Sequence, residues 1–186
     1  FAALIQRGLT ENTLVVVASD HGEEFGEHGV YFHGNSLYRA SLQVPLMLVL
    51  PGRVPAGVVI DNPVSLRDLA ATIVNLANPE GNAVFPGKSL ARFWGTDAVT
   101  EPADSLLSEL NFTARLPANT PISRGPMRSL ILAKSRLIRN GDGVNELFDL
   151  DQDTLEMRNL AQDPTAAARL VALQQALAVL LNSTAP

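Results

Sequence analysis

The stretch "TLVVVASDHGEEFGEHGVYFHG", residues 13–34, joins two unlike halves. Its first half, "TLVVVASD", is a β-branched apolar run without polar alternation. That pattern predicts a strand buried on both faces, as in a parallel sheet covered by helices. Asp20 and His21 follow at the carboxyl end of this strand, where open α/β sheets place their ligands and chemistry. Gly22, Gly26, Gly29 and Gly34 then disfavour a helical continuation. All three histidines of the chain, His21, His28 and His33, fall in this loop, together with Asp20, Glu23, Glu24 and Glu27. Nitrogen and carboxylate donors at this density admit two readings: a metal-binding loop, or a solvated polar one.

The bulk composition narrows the classes. A chain of 186 residues suits one ordinary domain, or one domain with a small appendage. With 46% hydrophobic and 18% charged residues it matches a soluble globular protein and not a disordered one. The net charge of -5 gives no basic surface, so nucleic acid is not an expected partner. The apolar run over residues 44–50 is too short to span a bilayer, and no membrane segment is expected. Cysteine is absent, which excludes disulfides and thiolate ligands. The opening "FAALIQRGL" starts with Phe1 rather than Met and reads as the tail of an amphipathic helix. The chain is therefore expected to be the C-terminal portion of a longer protein.

Working outward, "SLYRASLQ" suits a short helix and "VPLMLVLP" a second buried strand. In "NPVSLRDLAATIVNLAN", Ser65 and Asp68 stand at capping-box spacing ahead of an apolar helical face through Leu66, Leu69, Ile73 and Leu76. Beyond about Trp94 the composition changes, and residues 111–126, with three prolines, read as a long surface loop. "MRSLILA", "SRLIRN" and "ELFDL" predict short strands, with Asn140-Gly141-Asp142-Gly143 as the hairpin turn between the last two. Asp163 and Pro164 supply an N-cap and a first-turn proline for a helix with Leu170, Leu173, Leu177 and Leu181 on its apolar face. This segment fits a small antiparallel sheet backed by one helix. Residues 111–113 and 182–184 form glycosylation sequons, which matter only in a eukaryotic secreted protein.

Within the loop, an adjacent Asp-His pair at a strand end can reach one divalent ion, and aspartate with neutral imidazole suits zinc or manganese better than an all-oxygen calcium cage. The alternative has Asp20 and His21 hydrogen-bonded to the turn backbone. His28 reads as an exposed loop residue, and the glutamates as a solvated face, with Glu23 the candidate for a supporting role behind the ligands. His33 reads either as a core histidine satisfied by a carbonyl, or as an oxyanion contact and proton donor beside the metal.

The stretch "VVVASDHGEEFGEHGVYFHGNSLYRASLQVPLMLV" resembles the sulfatase branch of the alkaline phosphatase superfamily. The likeness continues through "PVSLRDLAATIVNLAN", "PGKSLARFW" and "NELFDLDQDTLEMRNLAQDP", which is similar to the family's closing strand and Asn-Leu-Ala turn. It implies an α/β fold: residues 1–100 as the C-terminal part of the alkaline-phosphatase-like sandwich, a sheet flanked by helices, and residues 101–186 as a small α+β subdomain. It implies Asp20 and His21 as ligands of one divalent metal (Ca, Zn or Mn), and His33 as the contact to sulfate or phosphate oxygens. Histidine at position 21, where calcium arylsulfatases usually carry asparagine, shifts the comparison toward phosphonate monoester and phosphodiester hydrolases and phosphoethanolamine transferases.

The family's formylglycine nucleophile arises from Cys or Ser in a Cys/Ser-x-Pro-x-Arg motif, which these 186 residues lack. It is expected upstream, and the chain alone is expected to be inactive. The implied activity is hydrolysis of a sulfate ester, or of a phosphate or phosphonate ester. The expected substrate is a small-molecule, saccharide or lipid ester, and the N-terminal remainder of the same protein is the expected partner. Phospho-headgroup transfer and a noncatalytic structural module are the alternatives.

Overall fold

A computed structural model of the chain describes residues 1–78, 85–94, 104–111 and 120–183. Half of the expected loop over 111–126 and parts of both sequons lie outside the described residues. The elements run α1 (Ala2–Gln6), β1 (Val15–Ala18), β2 (Glu24–Phe25), β3 (Tyr31–Phe32), α2 (Arg39–Leu42), β4 (Leu46–Val49), α3 (Asp68–Ala77), β5 (Leu106–Leu110), β6 (Met127–Leu132), β7 (Ser135–Arg139), β8 (Asn145–Asp149) and α4 (Ala167–Ser183). They form two compact units, residues 1–19 with 45–103, and residues 20–44 with 104–186. The histidine loop therefore belongs to the same unit as the C-terminal sheet.

In the first unit β1 pairs with β4 antiparallel, Val15 opposite Val49 and Val17 opposite Met47. The parallel pairing expected from the sequence is overturned for these two strands. An apolar run records how buried a strand is meant to be, and not the direction of its neighbour. Burial is also only partial here: no residue of either strand is fully buried, and the facing Val17 and Met47 are 49% and 58% exposed.

Helix α3 departs from its expected face. Its inward residues are Asp68, Thr72 and Leu76, while Leu66 and Ile73 are exposed. Ser65 does not cap in box fashion: its Oγ accepts from the Arg67 N–H at 3.1 Å. Asp68 turns instead to the segment after the helix, accepting from the Lys88 N–H at 3.0 Å and pairing with Arg92 at 3.1 Å. Thr72 accepts from the Leu90 N–H at 2.9 Å. The two polar residues point inward because they satisfy backbone donors that would otherwise be buried without partners.

The second unit is built on a four-stranded antiparallel sheet in the order β5-β6-β7-β8. Its period-2 alternation sends Leu130, Leu137 and Leu147 to one face, where they meet Ala166, Leu173 and Leu177 around α4. Met127, Ile138 and Phe148 go to the other face, where they meet Val30, Leu37, Tyr38 and Ile122. Burial on both faces explains the unbroken apolar runs in "SLILA" and "RLIRN". Strand β5, which the sequence reading left without an element, completes the sheet against β6, with Leu110 opposite Met127. Ile122 corrects the expected surface loop: it is fully buried, and its N–H donates to the Asn35 carbonyl at 3.0 Å.

The start of the last helix forms as expected, the Asp163 carboxylate accepting from the Thr165 N–H at 2.9 Å. The 20 residues 164–183, unlike the run over 44–50, are long and apolar enough to cross a membrane by length and composition. Leu173 and Leu177 of this helix pack into the sheet core.

Gly22 opens the histidine loop with its N–H on the Ser41 carbonyl at 2.8 Å. A Cβ there would lie 2.0 Å from the Ala40 carbonyl oxygen, so the loop approaches residues 40–41 closely only because the side chain is absent. Gly22→Ala is expected to destabilise the protein by about 1–3 kcal/mol through this overlap. Leu177→Ala is expected to cost about 2–5 kcal/mol by emptying the interface between α4 and the sheet. Urea denaturation with matched m-values checks both.

Candidate functional site

The residues singled out in the sequence converge in part. One donor atom each from His21, Glu23 and His33 lie within 4.8 Å of one another. The His21 and His33 rings stack, with centroids 3.9 Å apart and planes 24° apart. Asp20 stands at the edge of this group, Oδ2 3.7 Å from His21 Nε2. His28 is elsewhere.

The hydrogen bonds fix which nitrogen faces which way. His21 Nδ1 lies 2.8 Å from the Gly22 carbonyl oxygen. A carbonyl only accepts, so Nδ1 carries the proton and a neutral ring presents its lone pair at Nε2. His33 Nδ1 lies 3.1 Å from Glu23 Oε2, so Nδ1–H donates to the carboxylate and Nε2 is again the outward nitrogen. Asp20 Oδ1 accepts from the His21 N–H at 3.1 Å. Its own and His21's backbone N–H groups, then the His21 ring, hold the Asp20 carboxyl below the usual carboxylate range. The contacts to the turn backbone expected in the second reading of the pair are made, and they fix the directions of the carboxylate and the ring.

The donor chemistry fits a divalent ion. Two bonds of about 2.0–2.2 Å to one ion span up to about 4.4 Å, and Asp20 Oδ2 and His21 Nε2 lie within that reach. A ring that donates its second N–H to a backbone carbonyl is the usual arrangement of a metal-ligating histidine.

Two expectations are corrected. His28 is not an exposed loop residue. Its backbone is left-handed (φ 56°), and its ring stacks on Tyr38 at 3.7 Å and 11°. Its Nε2–H donates to the Glu156 carbonyl at 2.8 Å. The glutamates do not all form a solvated face either. Glu24 is buried and accepts from Ser41 Oγ at 2.7 Å and from Ser36 Oγ. In the hairpin of β2 and β3, Glu24 stands opposite Phe32 and Phe25 opposite Tyr31; the acid is buried while the three aromatic rings are exposed. Phe25 and Phe32 are 76% and 73% exposed.

The supporting residues were not visible as site residues in the sequence. Tyr38 stacks under His28 and donates its hydroxyl to Glu146 Oε2 at 2.9 Å. Arg136 and Glu156 are buried together, Nε to Oε1 3.0 Å. Burial pushes the Glu156 carboxyl up and the Arg136 guanidinium down, so desolvation outweighs the mutual attraction of the pair. The "DTLEMRNLA" segment carrying Glu156 had signalled a turn, but nothing in it marked the acid as buried.

The sequence profile described as Sulfatase matches residues 1–79. The choline-sulfatase of Rhizobium meliloti (strain 1021) is 32% identical over 164 residues, covering 87% of this chain and 29% of the relative. The arylsulfatase K of Danio rerio is 32% identical over 165 residues, covering 86% of this chain and 30% of the relative. The chain thus spans about three tenths of the length of these curated relatives. Among solved structures, the phosphonate monoester hydrolase from Silicibacter pomeroyi superposes with a TM-score of 0.77 at 29% identity, over 99% of this chain and 37% of that one. The mixed α/β architecture is that of the C-terminal part of such folds. Sequence and fold agree, and the chain belongs to the sulfatase family of the alkaline phosphatase superfamily.

Proposed function

We propose that the whole protein is a metal-dependent hydrolase of a sulfate ester, with this chain supplying Asp20 and His21 as metal ligands and His33 as the contact to the transferring group. The observation that carries this reading is the pair of oriented rings: His21 and His33 each spend Nδ1–H on an oxygen acceptor and turn Nε2 outward. Family membership and the sulfatase relatives support the reaction class.

When bound, a divalent ion would supply Lewis-acid stabilisation of charge on the ester's nonbridging oxygens. Asp20 stays ionised across the neutral range, held so by the backbone donors around it. His21 keeps its lone pair at Nε2 through the Gly22 carbonyl. His33, protonated at Nε2, would donate to an oxygen of the transferring group or to the leaving oxygen. Glu23 accepts the His33 Nδ1–H and so fixes the ring's direction. The family's formylglycine motif has no counterpart within these 186 residues, so the nucleophile would come from elsewhere in the whole protein.

The likeness to a phosphonate monoester hydrolase supports a second reading, in which the same residues serve a phosphate or phosphonate ester. Rates of the full-length protein on a nitrophenyl sulfate and on a nitrophenyl phenylphosphonate decide between them.

His33→Ala in the full-length protein is expected to lower kcat by about 10²–10⁴-fold, the usual share of general acid catalysis, while the metal content stays near that of the parent. Equal loss of metal and turnover would refute the assignment of His33 to the substrate. Glu23→Gln is expected to lower kcat by about 10–100-fold, since the ring loses the carboxylate that fixes its direction. Asp20→Asn is expected to lose metal and activity together, measured by elemental analysis alongside the assay.

A further inference from the structure

Beside its apolar contacts with the C-terminal sheet, the loop that carries His33 makes several polar contacts to one residue far away in sequence, Glu156. Glu156 follows β8 in a turn set by Asp153, whose carbonyl accepts the Glu156 N–H at 3.2 Å and whose carboxylate accepts the N–H groups of Met157 and Arg158 at 3.0 and 2.7 Å. It is buried and holds a left-handed backbone (φ 56°), a conformation that glycine adopts at lower cost. The side chain accounts for a non-glycine residue there. Glu156 Oε2 accepts the Arg39 N–H at 2.7 Å, and Oε1 faces Arg136 Nε at 3.0 Å. The Glu156 carbonyl takes the His28 ring, and Arg136 Nη1 donates to the Leu37 carbonyl at 3.0 Å. Residues 28, 37 and 39 bracket His33 on both sides.

We propose that Glu156 is a positioning residue: with Arg136 it clamps the chain at residues 28 and 37–39 and so fixes where His33 is held relative to His21 and Glu23. The substrate never touches Glu156. This inference rests on the hydrolase reading for its consequence in turnover, and on geometry alone for the clamp. The strain of the left-handed turn and the desolvation of a buried ion pair are costs that packing by itself would not demand. Holding a reacting side chain in place is what they accomplish, because displacement by about 1 Å costs turnover up to about 10²-fold.

The test compares Glu156→Asp and Glu156→Gln with the parent, all as full-length protein. Glu156→Asp keeps the charge and shortens the reach by one methylene, which guards against loss of folding from an unpaired Arg136 in Glu156→Gln. Hydrogen exchange is read over residues 26–36 and over α4, together with kcat, KM and metal content. Exchange in 26–36 is expected to quicken about 10-fold or more while α4 keeps its protection, with kcat falling by about 10–100-fold and KM moving less than about 3-fold. Uniformly faster exchange that includes α4, or unchanged exchange over 26–36, would overturn the clamp. If the parent protein hydrolyses neither sulfate nor phosphonate esters, the function reading fails, and the exchange pattern still decides the clamp. Loop exchange that quickens with kcat per folded molecule unchanged would overturn the link to catalysis.

Discussion

The sheet of β5 to β8 is buried on both faces, and everything in its unit follows from that constraint. One face is closed by α4 through Leu173 and Leu177. The other is closed by the histidine loop itself, through Val30, Leu37 and Tyr38 on Met127, Ile138 and Phe148. A loop this rich in glycine and charge has little propensity of its own, so its shape comes from the surface it covers. The apolar residues between the polar ones, Val30 and Leu37 above all, supply that contact. Burying them leaves the polar neighbours a small set of directions, and His21, Glu23 and His33 take the outward ones.

Burial also explains the acids that turned inward. Glu24 and Glu156 sit where buried donors would otherwise lack partners: Glu24 meets two serine hydroxyls, and Glu156 meets the Arg39 N–H and pairs with Arg136. Such groups contribute little net stability, because desolvation offsets most of the attraction. They contribute direction instead. Replacing either by an apolar residue of similar volume would keep a core but leave Ser36, Ser41 or the Arg39 N–H unsatisfied. In the first unit Asp68 and Thr72 follow the same logic against residues 88–92.

The histidines divide by what their neighbours accept. A backbone carbonyl beside His21 and a carboxylate beside His33 both draw Nδ1–H inward, leaving Nε2 to face outward. At His28 the carbonyl of Glu156 draws Nε2–H instead, and the ring becomes part of the packing under Tyr38. Three identical side chains in one loop thus serve two different purposes. The difference is set by partners up to 128 residues away.

Much was legible in the order of residues alone. Runs such as "VVVA" and "LMLV" and the Asn140–Gly143 turn marked strands and a hairpin because local sterics decide them. Asp163 and Pro164 marked a helix start, and the stretch with the Asp-His pair and His33 marked the family. The sequence also carried the apolar positions of α4, since a period of 3.6 can be read without a partner. Tertiary structure decided the rest. The antiparallel direction of β1 and β4, the inward turn of Glu24 and Asp68, the burial of Ile122 and the capture of His28 by Glu156 all depend on contacts between segments distant in sequence. An amino-acid order states what each residue prefers near itself, while hydrogen-bond satisfaction inside a packed core is a property of the whole arrangement.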